Sequence, residues 1–262
     1  MSDETFAVLL AKPELLRDPR LAQTFVQHLK IPFADATRRV TTAWGIVGER
    51  LDESAALDLA AALKAAGIET KMCGENALPI LPEAKPLASA AFGAESAKLF
   101  LKDATTQELR FADIGILAAA AWDKEILKTV KRTEGPTAGQ KAATWGLRLA
   151  TGLPLRVGPK EKVVEKVEKS SELRFALELV ARDGARFHVD AEDFNYACLG
   201  PKMEYGAYPN FRLLVAALRE RLPHAALSRG AAILLASQPV GTMGYDGPRD
   251  IERELRWLVA II

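Results

Sequence analysis

Apolar and polar positions follow two periods along the chain, and the switches between them predict its elements. Phe6, Val8 and Leu10 fall at every second residue, which places them on one face of an extended chain and predicts a strand over residues 6–11. Leu21, Phe25 and Leu29, with Ala22 and Val26 beside them, recur at helical spacing. Asp18-Pro19 precedes them as a helix start: aspartate caps free N–H groups, and proline at the first position gives up no needed bond. Pro32 interrupts that run, and Phe33, Ala36 and Val40 predict a second, shorter helix. A brief apolar run at residues 44–51 leads into a helix over 52–66, capped by Asp52 and striped by Ala56, Leu59, Ala60 and Leu63. Gly67 supplies a left-handed stop, and residues 68–73 alternate again as a strand. The predicted order is strand, helix, helix, strand, helix, strand.

That order resembles the C-terminal domain of the bacterial ribosomal stalk protein, a fold shared with the ClpS protease adaptor. The local likeness is carried by Asp52-Glu53-Ser54-Ala55-Ala56 through Leu63-Lys64-Ala65-Ala66-Gly67. In the stalk family an acidic, alanine-containing helix likewise ends in Ala-Gly before the last strand. The resemblance lies within residues 1–78 and implies a small binding module without chemistry. Two departures limit it. The stalk family carries lysines on its first helix where factors dock, whereas Leu21-Ala22-Gln23-Thr24-Phe25 has none, and the Asn-Asp segment of ClpS-type adaptors is missing. The fold is implied; the function of either family is not.

Pro79, Pro82 and Pro86 cannot sit within a helix or central strand, so residues 79–96 are expected to link a module at 1–78 to a second domain at 97–262. In that second domain residues 97–102 and 108–111 predict strands about a turn at 103–106, and residues 114–122 a buried strand. Leu173, Phe175, Leu177 and Leu179 alternate before Asp183-Gly184, with Phe187 and Val189 beyond, which predicts a hairpin with a two-residue loop. A turn is expected near Gly200-Pro201, then a helix capped by Asn210 and striped by Phe211, Leu214, Val215, Leu218 and Leu222. Residues 231–236 predict a short strand, and a last helix starts at Asp250 with its apolar end at Ile262 docked. The class expected is α+β, two small domains, the second a mostly antiparallel sheet with helices. Strands followed by a helix resemble, in outline, the pleckstrin-homology-like domains of bacteria.

The charges nearly cancel, at +1, so no bulk field recruits nucleic acid or an anionic membrane, and neither is expected as a partner. The mixed-sign run at 159–170 reads as a solvated face or edge. Cys73 and Cys198 are too few and too distant for a disulfide framework or zinc site, and read as reduced, mostly buried thiols. The acidic start Met1-Ser2-Asp3-Glu4 lacks the features of a signal peptide, and no apolar run reaches the roughly 20 residues of a bilayer span, so a soluble cytoplasmic protein is expected.

Chemistry has few carriers. Residues 131–141 read as an exposed loop containing a phosphate-loop lookalike, Gly135 to Lys141. It has three residues between its glycines, Gln140 before the lysine and Ala142 after it, so no hydroxyl is placed to hold magnesium and nucleotide hydrolysis is excluded. Gly241, Gly244 and Gly247 lack the strand-and-helix context of a dinucleotide site. His28, His188 and His224 lie in three different elements, and alternation sends His188 away from Phe187 and Val189, outward. Asp190, Glu192 and Asp193, followed by Asn195 and Tyr196, form the densest polar group, which also suits a strand end and turn. Tyr205 and Tyr208 suit an interface or a loop packed on its own domain. No catalytic, cofactor-binding or metal residue is assigned. The reading is a non-enzymatic binding, adaptor or scaffolding protein with a protein partner; the alternative is an enzyme or small-molecule sensor with a site in the second domain.

Overall fold

The computed structural model describes the backbone of residues 4–134 and 162–262. The protein is of the α+β class. One compact unit is built from residues up to Asp123 and from Leu173 onward, and a second from residues 124–172.

The first unit opens with the six elements expected: β1 (Phe6–Leu10), α1 (Pro19–Leu29), α2 (Phe33–Ala43), β2 (Ile46–Leu51), α3 (Glu53–Ala65) and β3 (Thr70–Gly74). β1 is central and pairs antiparallel with both neighbours, in the order β2-β1-β3. The helix ends follow their local chemistry. Asp18 Oδ1 accepts from Arg20 N at 2.9 Å and Asp52 Oδ1 from Ala55 N at 2.8 Å. Gly67 is left-handed, with Gly67 N donating to Lys64 O and Ile68 N to Leu63 O, both at 2.9 Å, a Schellman stop for α3. α2 closes on two left-handed residues, Trp44 (φ 50) and Gly45 (φ 88).

The larger sheet is mixed, in the order β10-β7-β8-β9-β4-β5-β6. Its strands are β4 (Lys85–Phe92), β5 (Ser96–Leu101), β6 (Thr106–Arg110), β7 (Ile114–Glu134), β8 (Lys162–Ala181), β9 (Arg186–Asp190) and β10 (Ala226–Leu227). β4 pairs parallel with β9, and β10 with β7; β4–β5, β5–β6 and β8–β9 are antiparallel. Within the expected linker, residues 79–84 are irregular and β4 then begins. The second unit, by itself, holds the later residues of β7 and the earlier ones of β8. Residues 131–134, expected in a loop, are strand; the rest of that loop, with the lookalike at 135–141, lies outside the described residues. Of the mixed-charge run, residues 162–170 belong to β8 and residues 159–161 lie outside the described residues.

Ala181 N donates to Ala185 O at 2.8 Å, so the β8–β9 register closes about three residues, 182–184, not two; Ala181 O accepts from Gly184 N at 2.9 Å and Gly184 is left-handed (φ 91), a turn followed by a glycine bulge. The helix α4 (Ala207–Arg221) begins before Asn210, which is buried in its first turn. Its amide fastens the preceding loop, accepting from Glu204 N at 2.8 Å and donating to Glu204 O at 2.6 Å and Gly206 O at 2.8 Å. The strand predicted at 231–236 is instead part of the helix α5 (Arg229–Leu235). Ser228 caps it, accepting from Ala231 N at 3.2 Å while its hydroxyl also meets the backbone N–H (2.9 Å) and C=O (3.2 Å) of Ala119 on β7. A Cβ at Gly230 would stand 2.0 Å from Ala119 O, so only glycine permits this approach. The last helix, α6 (Pro248–Ile261), starts two residues before Asp250, and Ile262, expected to be docked, is 59% exposed.

One apolar core runs through the first unit, from Leu9, Ile46 and Leu63 to Phe187, Phe211 and Leu255. α6 packs on the N-terminal module. Trp257 Nε1 donates to Leu10 O at 2.7 Å, Arg253 Nε to Ala43 O at 3.0 Å, and Lys71 Nζ to Ala260 O at 2.7 Å. The ring of Trp257 occupies the space a side chain at Gly45 would need: a Cβ there would lie 1.9 Å from it.

Candidate functional site

The polar residues singled out in the sequence are not brought to one place. Asp193 Oδ2 accepts from Lys102 Nζ at 2.7 Å on the surface, and this lysine holds its carboxyl below the usual range. Asp190 Oδ1 accepts from Glu192 N at 3.0 Å, and Asn195 Oδ1 from Ala197 N at 2.9 Å, both local turn bonds. Tyr196 is buried, donates to Ala191 O at 2.9 Å, and has its hydroxyl pushed far up by that burial. His224 Nε2 lies 3.1 Å from Ile114 O, and His28 is half-buried on α1. Tyr208 stacks on Phe175 with centroids 4.7 Å apart, while Tyr205 is fully exposed. Cys73 and Cys198 are half-buried free thiols, both pushed up by burial and so poor nucleophiles.

His188 departs from its outward placement. It lies opposite Phe187 and Val189 as alternation requires, but its Nδ1 is 2.8 Å from Oε1 of Glu178, its direct cross-strand neighbour. Arg186, on the same face, clamps Glu178 through Nε–Oε2 at 2.8 Å and Nη2–Oε1 at 3.1 Å, with side chains 8% and 3% exposed. Glu252 on α6 stands 3.7 Å from Arg186 Nη1, so α6 borders this face. A carboxylate beside an imidazole is half of an acid–base dyad, but here both oxygens are already taken by Arg186. The arrangement is a buried ion pair with a histidine on its edge.

A second polar cluster was not legible in the sequence. Glu254 on α6 is wholly buried; its Oε1 accepts from Arg229 N at 2.6 Å and its Oε2 from the Tyr245 hydroxyl at 2.5 Å. Gly230 N donates to the same hydroxyl at 3.1 Å, and Tyr245 stacks on Trp44 at 4.4 Å between centroids. Burial pushes the Glu254 carboxyl up to about 7, against these hydrogen bonds and the nearby Arg229 charge, which pull it down. Tyr245 is raised well above its ordinary value, by burial first and the charge of Glu254 second. Both carboxylate oxygens are engaged, so this cluster fastens α6, α5 and the Tyr245 loop together. Among the described residues no group of three His, Cys, Asp or Glu side chains is placed to hold a metal ion, and no helix is long and apolar enough to cross a membrane.

One surface feature suited to a ligand, among the described residues, is an apolar trough of about 400 Å³, within the size range of ligand pockets (about 300–1,000 Å³). Ile80 and Leu81 form one wall, Gly115 and Ile116 at the start of β7 line it beside Val180 at the end of β8, and Val259 and Ile262 close it from the last helix. Ile80 is 93% exposed at the rim. Arg182 is the one charged side chain among the described residues of the lining, and its Cγ would lie 3.6 Å from a Cβ at Gly115. A smaller groove of about 300 Å³ runs between α4 and α5, but Arg212 Nη2 donates to Ser237 Oγ at 2.9 Å, tying its two walls together. Comparison with known proteins returned no matching family model, no matching curated protein and no matching solved structure.

Proposed function

We propose that this chain is a non-enzymatic binding protein, an adaptor or scaffold, that docks a protein partner in the trough beside Ile80. The observation that carries the reading is the conjunction of that open apolar trough with the exposed Ile80 on its rim. Burying one such side chain against a partner is worth about 1.5–3 kcal/mol, enough to make it an anchor. The likeness of the N-terminal module to stalk and ClpS domains supports a binding role by analogy. The catalytic alternative needs Asp190, Asp193 or His188 gathered about a cavity, and each is engaged elsewhere. The two thiols, the weak net charge and the lack of a long apolar run support a cytoplasmic setting, with neither nucleic acid nor membrane as the partner.

The test places the photo-crosslinker benzoylphenylalanine at position 80 of the full chain and irradiates the native cell. A discrete protein adduct is expected there and not from the exposed Lys64 on α3. It is lost on Gly115→Val, which fills the trough floor at a position with ordinary backbone and room for a Cβ. An adduct that survives Gly115→Val, or no adduct above that at position 64, overturns the reading.

A further inference from the structure

We infer that the segment received by the trough is extended and apolar and carries a carboxylate that pairs with Arg182; this rests on the docking role proposed above. Among the described residues, the side chains of the lining include one arginine and no carboxylate. The acids nearest Arg182 in the chain and the turn are committed elsewhere. Asp183 Oδ1 accepts from Ala185 N at 2.9 Å, and Asp113 is clamped by Arg110 through Nε at 2.8 Å and Nη2 at 3.0 Å. Arg182 itself is fixed by its backbone, whose N–H donates to Asp113 O at 2.7 Å, while its side chain is exposed with its stem over Gly115. The rim therefore presents one exposed arginine, bonded to no carboxylate among the described residues, beside an apolar floor. An apolar occupant with a negative group is the complement of that pattern.

The opposite wall favours a peptide over a lipid acid. Leu78 and Leu81 each precede a proline, which steers them to extended backbone, and Leu78 has φ −65 and ψ 132. Arg256 Nε donates to Pro79 O at 3.2 Å and anchors the wall to α6. Among the described residues, no main-chain hydrogen bond joins Ile80 or Leu81 to another backbone. An extended partner finds there unpaired N–H and C=O groups beside an exposed apolar side chain, as strand-like peptide recognition requires. An acyl chain has no use for them.

A displayed library of random decapeptides, panned against the full chain, tests the inference. Peptides in which apolar residues flank Asp or Glu are expected to enrich. Arg182→Glu shifts the enrichment to Lys and Arg, and Ile80→Asp abolishes it. Individual selected peptides lose about two- to fivefold in affinity on Arg182→Gln, the size of an exposed ion pair. Apolar peptides enriched without regard to charge, and unchanged by Arg182→Glu, overturn the inference and leave the docking role standing. Enrichment that ignores Ile80→Asp overturns both. Dodecanoate bound in an Arg182-dependent way, with no peptide enriched, assigns the trough to a lipid acid and also overturns the inference.

Discussion

Glu254 offers a prediction that separates burial from hydrogen bonding. In the unfolded chain its carboxyl has its ordinary value of 4.5, and in the folded protein burial raises it to about 7. The folded state thus holds the proton more tightly than the unfolded state, so this group's contribution to stability is fully present below pH 4.5. It is lost as pH rises through about 7. At about 1.4 kcal/mol per pH unit the whole effect is about 3 kcal/mol, of which about 2.5 kcal/mol falls between pH 5 and 8. Glu254→Gln keeps an acceptor for Arg229 N, weakens the Tyr245 contact at every pH, and cannot ionise. Urea unfolding of both proteins, followed by tryptophan fluorescence, should give a difference in stability that changes by about 2.5 kcal/mol from pH 5 to pH 8, in favour of the variant at the alkaline end. Contributions common to the two proteins cancel in the difference. Parallel pH profiles would show that the carboxylate stays ionised, with the two donors and Arg229 outweighing burial, and would refute the reasoning.

Three further outcomes follow from the packing. Gly45→Ala forces a non-glycine residue into the left-handed region and displaces the Trp257 ring, so it should cost about 3–5 kcal/mol in urea unfolding and redden the tryptophan emission. Glu178→Gln leaves the buried Arg186 with only the more exposed Glu252, 3.7 Å away, as a charge partner and should cost about 3 kcal/mol, whereas replacing both Glu178 and Arg186 by methionine should recover much of that loss. Asp52→Ala removes the cap of α3 and should cost about 1 kcal/mol in the same assay, with no change in peptide binding at the trough.

What could be read in advance was what neighbours in sequence decide. Asp18, Asp52 and Gly67 mark the N-terminal elements through bonds that span two to five residues, and those elements appear where the pattern places them. Residues 231–236 form a six-residue apolar run with no decisive period, which fits a strand as well as the helix observed. The helix is started by the Ser228 cap, whose hydroxyl also meets Ala119, 109 residues away. Glu254 left a signal that could have been used: it lies on the apolar stripe of Ile251, Leu255 and Leu258, where a solvated glutamate does not belong. Glu178 and His188 become partners once the register about Gly184 is known, but an assumed two-residue loop hides it. The trough had no such marker, since its walls come from residues near 80, 115, 182 and 260.

The slot that Gly45 leaves for Trp257 also sets a condition on synthesis. More than 200 residues separate them, and a chain made at about 5–20 residues per second keeps the slot empty for on the order of ten seconds or more. During that time Leu10 lacks the indole that will meet its carbonyl, and the first-made sheet exposes apolar surface to whatever chaperone is at hand. A message truncated before α6 would yield a chain whose earliest part can never close. Closing of the N-terminal sheet therefore waits on the synthesis and docking of α6.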